Sequence, residues 1–185
     1  MARTLGWGSK GRGFKSRRSD TDLLLHYFSM THIKPDWDHY FMQLADVVKL
    51  RGNCIRPPLV GAVVVRDSRI IATGYTGTPH GIANCDEGGC DRCQARAEGK
   101  IGSGEAKDSC VCIHAELNTI IQAALHGVST RGATLYTTYA PCTTCAKMIV
   151  NAHIVRVVYD VPHEKDTGGI DLLRRAGVEV VHLAD

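Results

Sequence analysis

No stretch of this chain approaches the roughly 18 consecutive apolar residues that a membrane span needs, so no transmembrane segment is expected. A signal-peptide-like apolar core is also missing, which argues against an exported protein and for a reducing compartment, with the cytoplasm as the expected location. Internal repeats are absent. Strong net charge is absent too: the balance is +3, and six of the basic residues (Arg3, Lys10, Arg12, Lys15, Arg17 and Arg18) crowd the first eighteen positions. The remainder of the chain therefore carries no electrostatic signature of a nucleic-acid binder.

What is present suffices for one core. The chain has 185 residues, 44% of them hydrophobic, and one folded domain is the default expectation. Residues 1–34 are expected to be a basic N-terminal extension, rich in Gly and Ser, with no acidic residue before Asp20 and nothing to build a core from. Three readings of it stand: a plain extension, a tether for nucleic acid, or a mitochondrial presequence, the last disfavoured by its glycines and its lack of an apolar helical face. Residues 35–185 are expected to form the folded domain.

The eight cysteines have spacings that read as metal sites. His114-Ala115-Glu116 and Pro141-Cys142-Thr143-Thr144-Cys145 stand out. Histidine and thiolate are ligand types that zinc prefers, and three protein ligands leave the fourth tetrahedral position open, as in a catalytic site. Cys142 and Cys145 are three apart and share a helix face; Pro141 beside them marks a helix start. At such an end the exposed N–H groups and the helix dipole favour thiolate over thiol. His114 and Glu116 are two apart and converge only at the first turn of a helix. Leu117, Ile120, Ile121, Ala124 and Leu125 then form an apolar stripe, with Gly127 as its stop. Glu116 is expected to serve as proton shuttle and not as ligand. H-x-E with P-C-x-x-C is the signature of the zinc nucleobase deaminases. The competing reading, a structural zinc knuckle beside a solvated Glu, normally requires four protein ligands.

Periodicity supplies the frame. Asp36 is expected to cap a helix with apolar face Trp37, Phe41, Leu44, Ala45 and Val48, ending near Gly52. Residues 59–66 and 69–73 read as a hairpin around Asp67-Ser68. Strands at 133–138, 154–159 and 178–183 alternate with helices near 114–126, 142–151 and 167–176. Each strand–helix–strand step implies a parallel crossover. The expected fold is α/β, a three-layer α/β/α arrangement around a mixed five-stranded sheet.

Between hairpin and His114 runs a segment of about forty residues, too long for a bare connection. It holds Cys85, Cys90, Cys93, Cys110 and Cys112, with Cys54 just before the first strand. A second, structural zinc is the favoured reading; buried or redox-active thiols are the alternative. Spacing alone does not choose four ligands from six.

The chain resembles the deoxycytidylate (dCMP) deaminases, within the cytidine-deaminase-like zinc hydrolases. The resemblance runs from about Trp37 to Leu183, through Tyr40-Phe41-Met42, Val60-Gly61-Ala62, Gly74-Tyr75-Thr76-Gly77-Thr78-Pro79, Cys112-Ile113-His114-Ala115-Glu116-Leu117-Asn118 and Pro141 to Cys145. The tract from Asn84 to Cys93 looks like the fungal and microbial branch. The resemblance implies hydrolytic deamination of dCMP to dUMP, with catalytic zinc on His114, Cys142 and Cys145 and with Glu116 carrying protons. It also implies that the Ala115 backbone, Thr76 and Thr78 contact the nucleotide. Phage members bind a second zinc at positions matching Cys54, Cys85 and Cys112; Cys90 is the choice for the fourth ligand, with Cys93 and Cys110 as alternates. Homo-oligomerisation as a hexamer, activation by dCTP and inhibition by dTTP are further implications. One departure is Thr76, where the family usually has Asn. A tRNA adenosine deaminase shares the same motif pair, and a non-catalytic zinc-stabilised binding module is the reading from another class; the insert and the Tyr-Phe-Met helix favour the mononucleotide enzyme over the first, Glu116 over the second.

Overall fold

The computed structural model describes residues 34–102, 104–163 and 167–183. The reading of residues 1–34 as an extension falls, apart from Lys34, outside these. Helix α1 (Trp37–Lys49) starts at Asp36, whose carboxylate accepts from the His39 N–H at 2.9 Å, as expected of an N-cap. A hairpin follows, β1 (Gly61–Arg66) and β2 (Arg69–Tyr75), turned at Asp67 and Ser68, both with positive φ as a two-residue hairpin turn requires. The insert contributes a 3-10 turn (Cys85–Glu87), helix α2 (Asp91–Ala97) and a second 3-10 turn (Lys107–Ser109). Then come α3 (Ala115–Leu125), β3 (Thr134–Tyr139), α4 (Thr143–Asn151), β4 (Arg156–Val161), α5 (Gly168–Arg175) and β5 (Glu179–His182).

The strands form one sheet in the order β2-β1-β3-β4-β5. β1 runs antiparallel to β2 and β3, while β3, β4 and β5 are mutually parallel, so the sheet is mixed as expected. Val63 and Val65 face a core with Phe41, Met42, Ala45, Tyr136 and Val158, under α1. Ala62 and Val64 face the other core, shared with Leu135, Val157, Ile149 and Leu173 under α3, α4 and α5. This is why β1 reads as an unbroken apolar run: both its faces are covered. Among the described residues no helix is long and apolar enough to cross a membrane.

Two helical faces differ from expectation. In α1 the buried residues are Phe41, Met42 and Ala45, while Trp37 stays 54% exposed and stacks on Phe41, ring centroids 5.4 Å apart. In α3 the expected stripe turns inward only in part: Ile120 packs against the core, but Ile121 and Leu125 are 44% and 73% exposed, and the residues fully turned inward include Ala115, Thr119 and Ala123. The cause is close approach. A Cβ built on Gly74 of β2 would lie 2.5 Å from Thr119 Oγ1 and 2.6 Å from the Ala115 carbonyl, so the helix rests almost directly on the strand backbone and only small side chains fit between.

Helix α1 is also pinned by charge. Asp38 accepts from both terminal nitrogens of Arg156 at 2.8 Å and from the Tyr136 hydroxyl at 2.9 Å. The Arg156 hydrogen bonds hold the Asp38 carboxyl below its usual range. A depressed carboxylate pKa contributes stability that is present above the unfolded value and lost as pH falls through the folded one. Asp38→Ala is therefore expected to destabilise the fold by about 1–3 kcal/mol near neutrality, a fall of several degrees in Tm, with the gap to the parent protein narrowing as pH is taken below 3.8. Thermal melts at two pH values check both the size and the sign.

Candidate active site and insert cluster

Both halves of the motif pair sit at helix starts, one at α3 and one at α4. His114 is the N-cap of α3 (φ −70, ψ 150) and Cys142 the N-cap of α4 (φ −70, ψ 168). Pro141 thus precedes the cap instead of occupying the first helical position, and Cys145 lies in the first turn. The His114 imidazole makes no cap hydrogen bond to its own helix and is turned toward the Cys142 and Cys145 thiols. His114 Nδ1 lies 3.5 Å from Cys142 Sγ and 3.4 Å from Cys145 Sγ. A nitrogen and a sulfur on one tetrahedral zinc stand about 3.6 Å apart, so the three donors fit that metal. Cys145 is buried, Cys142 half-buried and His114 exposed, so the triad opens to solvent on the histidine side.

The electrostatics suit a cation. Hydrogen bonding with the Cys145 thiol, then with His114, pulls the Cys142 thiol down to about 3, and the same bond, seen from the Cys145 side, pushes the Cys145 thiol upward. His114 is raised by the Cys142 sulfur. Glu116, 4% exposed, has its carboxyl against Cys145, and burial lifts its pKa to about 7, near where a general base and acid work in turn. The Ala115 and Glu116 N–H groups belong to the first turn of α3 and have no intrahelical acceptor.

The loop from Gly74 to Pro79 is fastened to this helix start. Gly77 and Ile113 exchange backbone hydrogen bonds (3.2 and 2.7 Å), and Asn118 Nδ2 donates to the Tyr75 carbonyl at 2.8 Å. Thr76 is 4% exposed and its hydroxyl points to the Val60 carbonyl at 3.4 Å. Thr78 is held by Asn53, whose Oδ1 accepts from the Thr78 N–H at 3.0 Å while its Nδ2 donates to Asn84 Oδ1 at 2.6 Å. Asn53 was not singled out by sequence reasoning; no spacing links it to a loop twenty-five residues away. Gly169, at the start of α5, was missed as well: a Cβ there would lie 2.0 Å from the Pro141 carbonyl oxygen and 2.7 Å from the Cys142 carbonyl carbon.

In the insert all six cysteines converge. The sulfurs of Cys54, Cys85, Cys93 and Cys112 lie within 4.8 Å of one another, and so do those of Cys90, Cys93, Cys110 and Cys112. The thiol that joins Cys54, Cys85 and Cys112 is thus Cys93, one of the two alternates, and Cys90 belongs with Cys110 in the other set. Cys54, Cys85, Cys90 and Cys93 are buried and Cys112 nearly so.

Residues 35–161 match the family described as the cytidine and deoxycytidylate deaminase zinc-binding region. The chain belongs to that family. Among curated members of this deaminase family, the deoxycytidylate deaminase of Schizosaccharomyces pombe is 42% identical over 171 residues, 88% of this chain and 51% of that protein. The Saccharomyces cerevisiae deoxycytidylate deaminase is 40% identical over 80% of this chain and 45% of its own length, so the chain spans about half of these fungal deaminases. A crystal structure of dCMP deaminase from cyanophage S-TIM5, in complex with dCMP and dUMP, superposes with a TM-score of 0.64 at 33% identity, over 82% of this chain and all of that one.

Proposed function

We propose that the chain catalyses the zinc-dependent hydrolytic deamination of dCMP to dUMP, with release of ammonia. The observation that carries this reading is the three-donor triad of His114, Cys142 and Cys145 with the buried Glu116 carboxyl beside it. Relatives bearing the name deoxycytidylate deaminase over most of the chain support the substrate. Zinc held by the triad supplies the Lewis acidity that brings the pKa of a water toward neutrality. Glu116 accepts a proton from that water and hands it to ring N3 as oxygen adds at C4; it then takes the remaining proton from that oxygen and gives it to the amine, so that the C4–N bond breaks, ammonia leaves, and the C4 carbonyl forms with the proton retained on N3. Its carboxyl pKa of about 7 lets it both take and give a proton at neutral pH. The Ala115 N–H holds the base carbonyl, and the Gly77-Thr78 segment, positioned by Asn53, meets the nucleotide.

A metal–thiolate site fastens the insert. The working form is a homo-oligomer, a hexamer on family resemblance; the outward Ile121 and Leu125 of α3 offer it apolar surface. Residues 35–185 make up the deaminase domain, the protein works in the cytoplasm, and dCTP and dTTP act as effectors.

The deciding experiment is a deamination assay on dCMP, deoxycytidine and a tRNA anticodon stem, with and without dCTP. Turnover of dCMP well above that of deoxycytidine is expected. Equal turnover of the two would remove phosphate recognition from the reading, and turnover of the tRNA adenosine alone would replace it. A finer prediction concerns Thr76. Its hydroxyl is turned to Val60, whereas an Asn there offers donor and acceptor together. One neutral hydrogen bond is worth about 0.5–1.5 kcal/mol, so Thr76→Asn is expected to change kcat/KM for dCMP by up to about tenfold, with smaller effects on deoxycytidine.

A further inference from the structure

The six cysteines of the insert fall into two overlapping groups of four. Two thiolates on one tetrahedral zinc stand about 3.8 Å apart. Cys93 Sγ lies 3.8 Å from Cys54, 3.8 Å from Cys110 and 3.9 Å from Cys112, so it meets that spacing toward members of both sets at once. Cys93 and Cys112 are the two residues common to both groups of four. Cys54 and Cys85 complete one group, Cys90 and Cys110 the other.

Backbone N–H groups face three of the six sulfurs. Cys54 Sγ accepts from the Arg56 N–H, Cys85 from the Ile55 N–H, and Cys90 from the N–H groups of Cys93, Val111 and Cys112. Hydrogen bonds of this kind stabilise the charged form of sulfur and are of little use to a thiol. Six thiolates clustered this tightly need compensation. One divalent ion leaves the group at −4 if all six are ionised, and two leave it at −2. The Arg56 charge acts on Cys54, and its buried Nε has no hydrogen-bond partner among the described residues, so a residual negative charge has a cation beside it.

We infer that the insert holds a binuclear zinc–thiolate cluster in which Cys93 and Cys112 bridge two zinc ions, Cys54 and Cys85 complete the first tetrahedron, and Cys90 and Cys110 complete the second. Six thiols release their protons on assembly, two zinc ions enter, and no oxidant or reductant is involved. Every stretch of the insert is thereby tied to one point: the segment before β1 through Cys54, the first 3-10 turn through Cys85, α2 through Cys90 and Cys93, and the approach to His114 through Cys110 and Cys112. A single site on Cys54, Cys85, Cys93 and Cys112 would already tie these four stretches together, but it would leave the Cys90 and Cys110 thiols without a metal.

Elemental analysis of the purified full chain is expected to give about three zinc ions per chain, two in the cluster and one at the triad. Replacing both Cys142 and Cys145 by Ser is expected to remove only the last, which separates this inference from the reading of the active site. Exchange with cadmium-113 then provides the decisive measurement. Two tetrathiolate resonances, each split by the other through the shared sulfurs, are expected. One unsplit tetrathiolate resonance, with one insert metal per chain, would overturn the cluster while leaving the triad untouched. In Cys90→Ser/Cys110→Ser the insert is expected to fall from two ions to one and the splitting to vanish; two ions retained there would also overturn it. Should that variant fail to fold, the wild-type spectrum decides alone.

Discussion

Glu116→Gln is expected to lower kcat for dCMP by about 10²-fold or more while the zinc content of the triad stays the same. Glutamine keeps the shape and the hydrogen-bonding edge of the carboxyl but neither accepts nor releases a proton in the working range. The side chain is 4% exposed and packs against Cys145 without belonging to the three donors that converge, so the substitution removes the shuttle and spares the ligands. Stability gives a second handle. A buried neutral amide costs less to desolvate than a buried carboxylate, and the melting temperature is expected to hold or rise. Steady-state kinetics with metal analysis on the same preparation make the check; near-normal turnover by a folded, zinc-loaded Gln variant would take the proton-carrying role away from Glu116.

The second large effect is expected from a residue with no side chain. In Gly169→Ala the added methyl would sit 2.0 Å from the Pro141 carbonyl oxygen and 2.7 Å from the Cys142 carbonyl carbon. Both neighbours are backbone, so neither rotates aside, and either the start of α5 or the turn carrying Cys142 must move. Overpacking of this sort costs about 1–3 kcal/mol in stability. A shift of about 1 Å at a reacting centre costs on the order of 10²-fold in rate. Gly169→Ala is therefore expected to lower turnover by up to that factor and to loosen zinc at the triad, measured as faster loss of zinc to a chelator. Unchanged zinc release and turnover would show that the α5 side absorbs the strain.

How far the sequence disclosed this arrangement depended on how local the information was. The hairpin was legible because Asp67 and Ser68 stand between two β-branched runs, and the turn they form has positive φ at both positions. The triad was legible because a two-residue and a three-residue spacing each fix geometry within one helical turn. The facing of α3 was not. Leu117, Ile120, Ile121, Ala124 and Leu125 outweigh Ala115, Thr119 and Ala123 in hydrophobicity, yet the smaller set turns inward because Gly74, forty-one positions before Ala115, lets the helix down onto the strand. That contact belongs to the tertiary fold and leaves no mark on the helix itself. The pairing of the six insert cysteines was hidden for a like reason: Cys54 meets Cys93 across thirty-nine residues of chain. Asn53 and Gly169 act on the site from a distance in sequence that periodicity does not span.

The seating of α3 on Gly74 has a thermodynamic side. A helix resting on a strand through Ala115 and Thr119, with the Thr119 hydroxyl bonded to the Ala115 carbonyl at 2.8 Å, has no gap into which it can slide or roll. The wall of the site that bears His114 and Glu116 is consequently set before any nucleotide arrives, and little ordering entropy remains to be lost there on binding. The adaptable wall is the opposite one, the loop through Gly77 and Thr78, joined to the helix start by one pair of backbone hydrogen bonds to Ile113 and by the Asn118 amide on the Tyr75 carbonyl, with Asn53 holding Thr78 from the far side. Differences in nucleotide preference between this chain and its relatives are thus expected to accumulate in that loop and its Asn53 support, while the α3 wall tolerates hardly any change in side-chain volume.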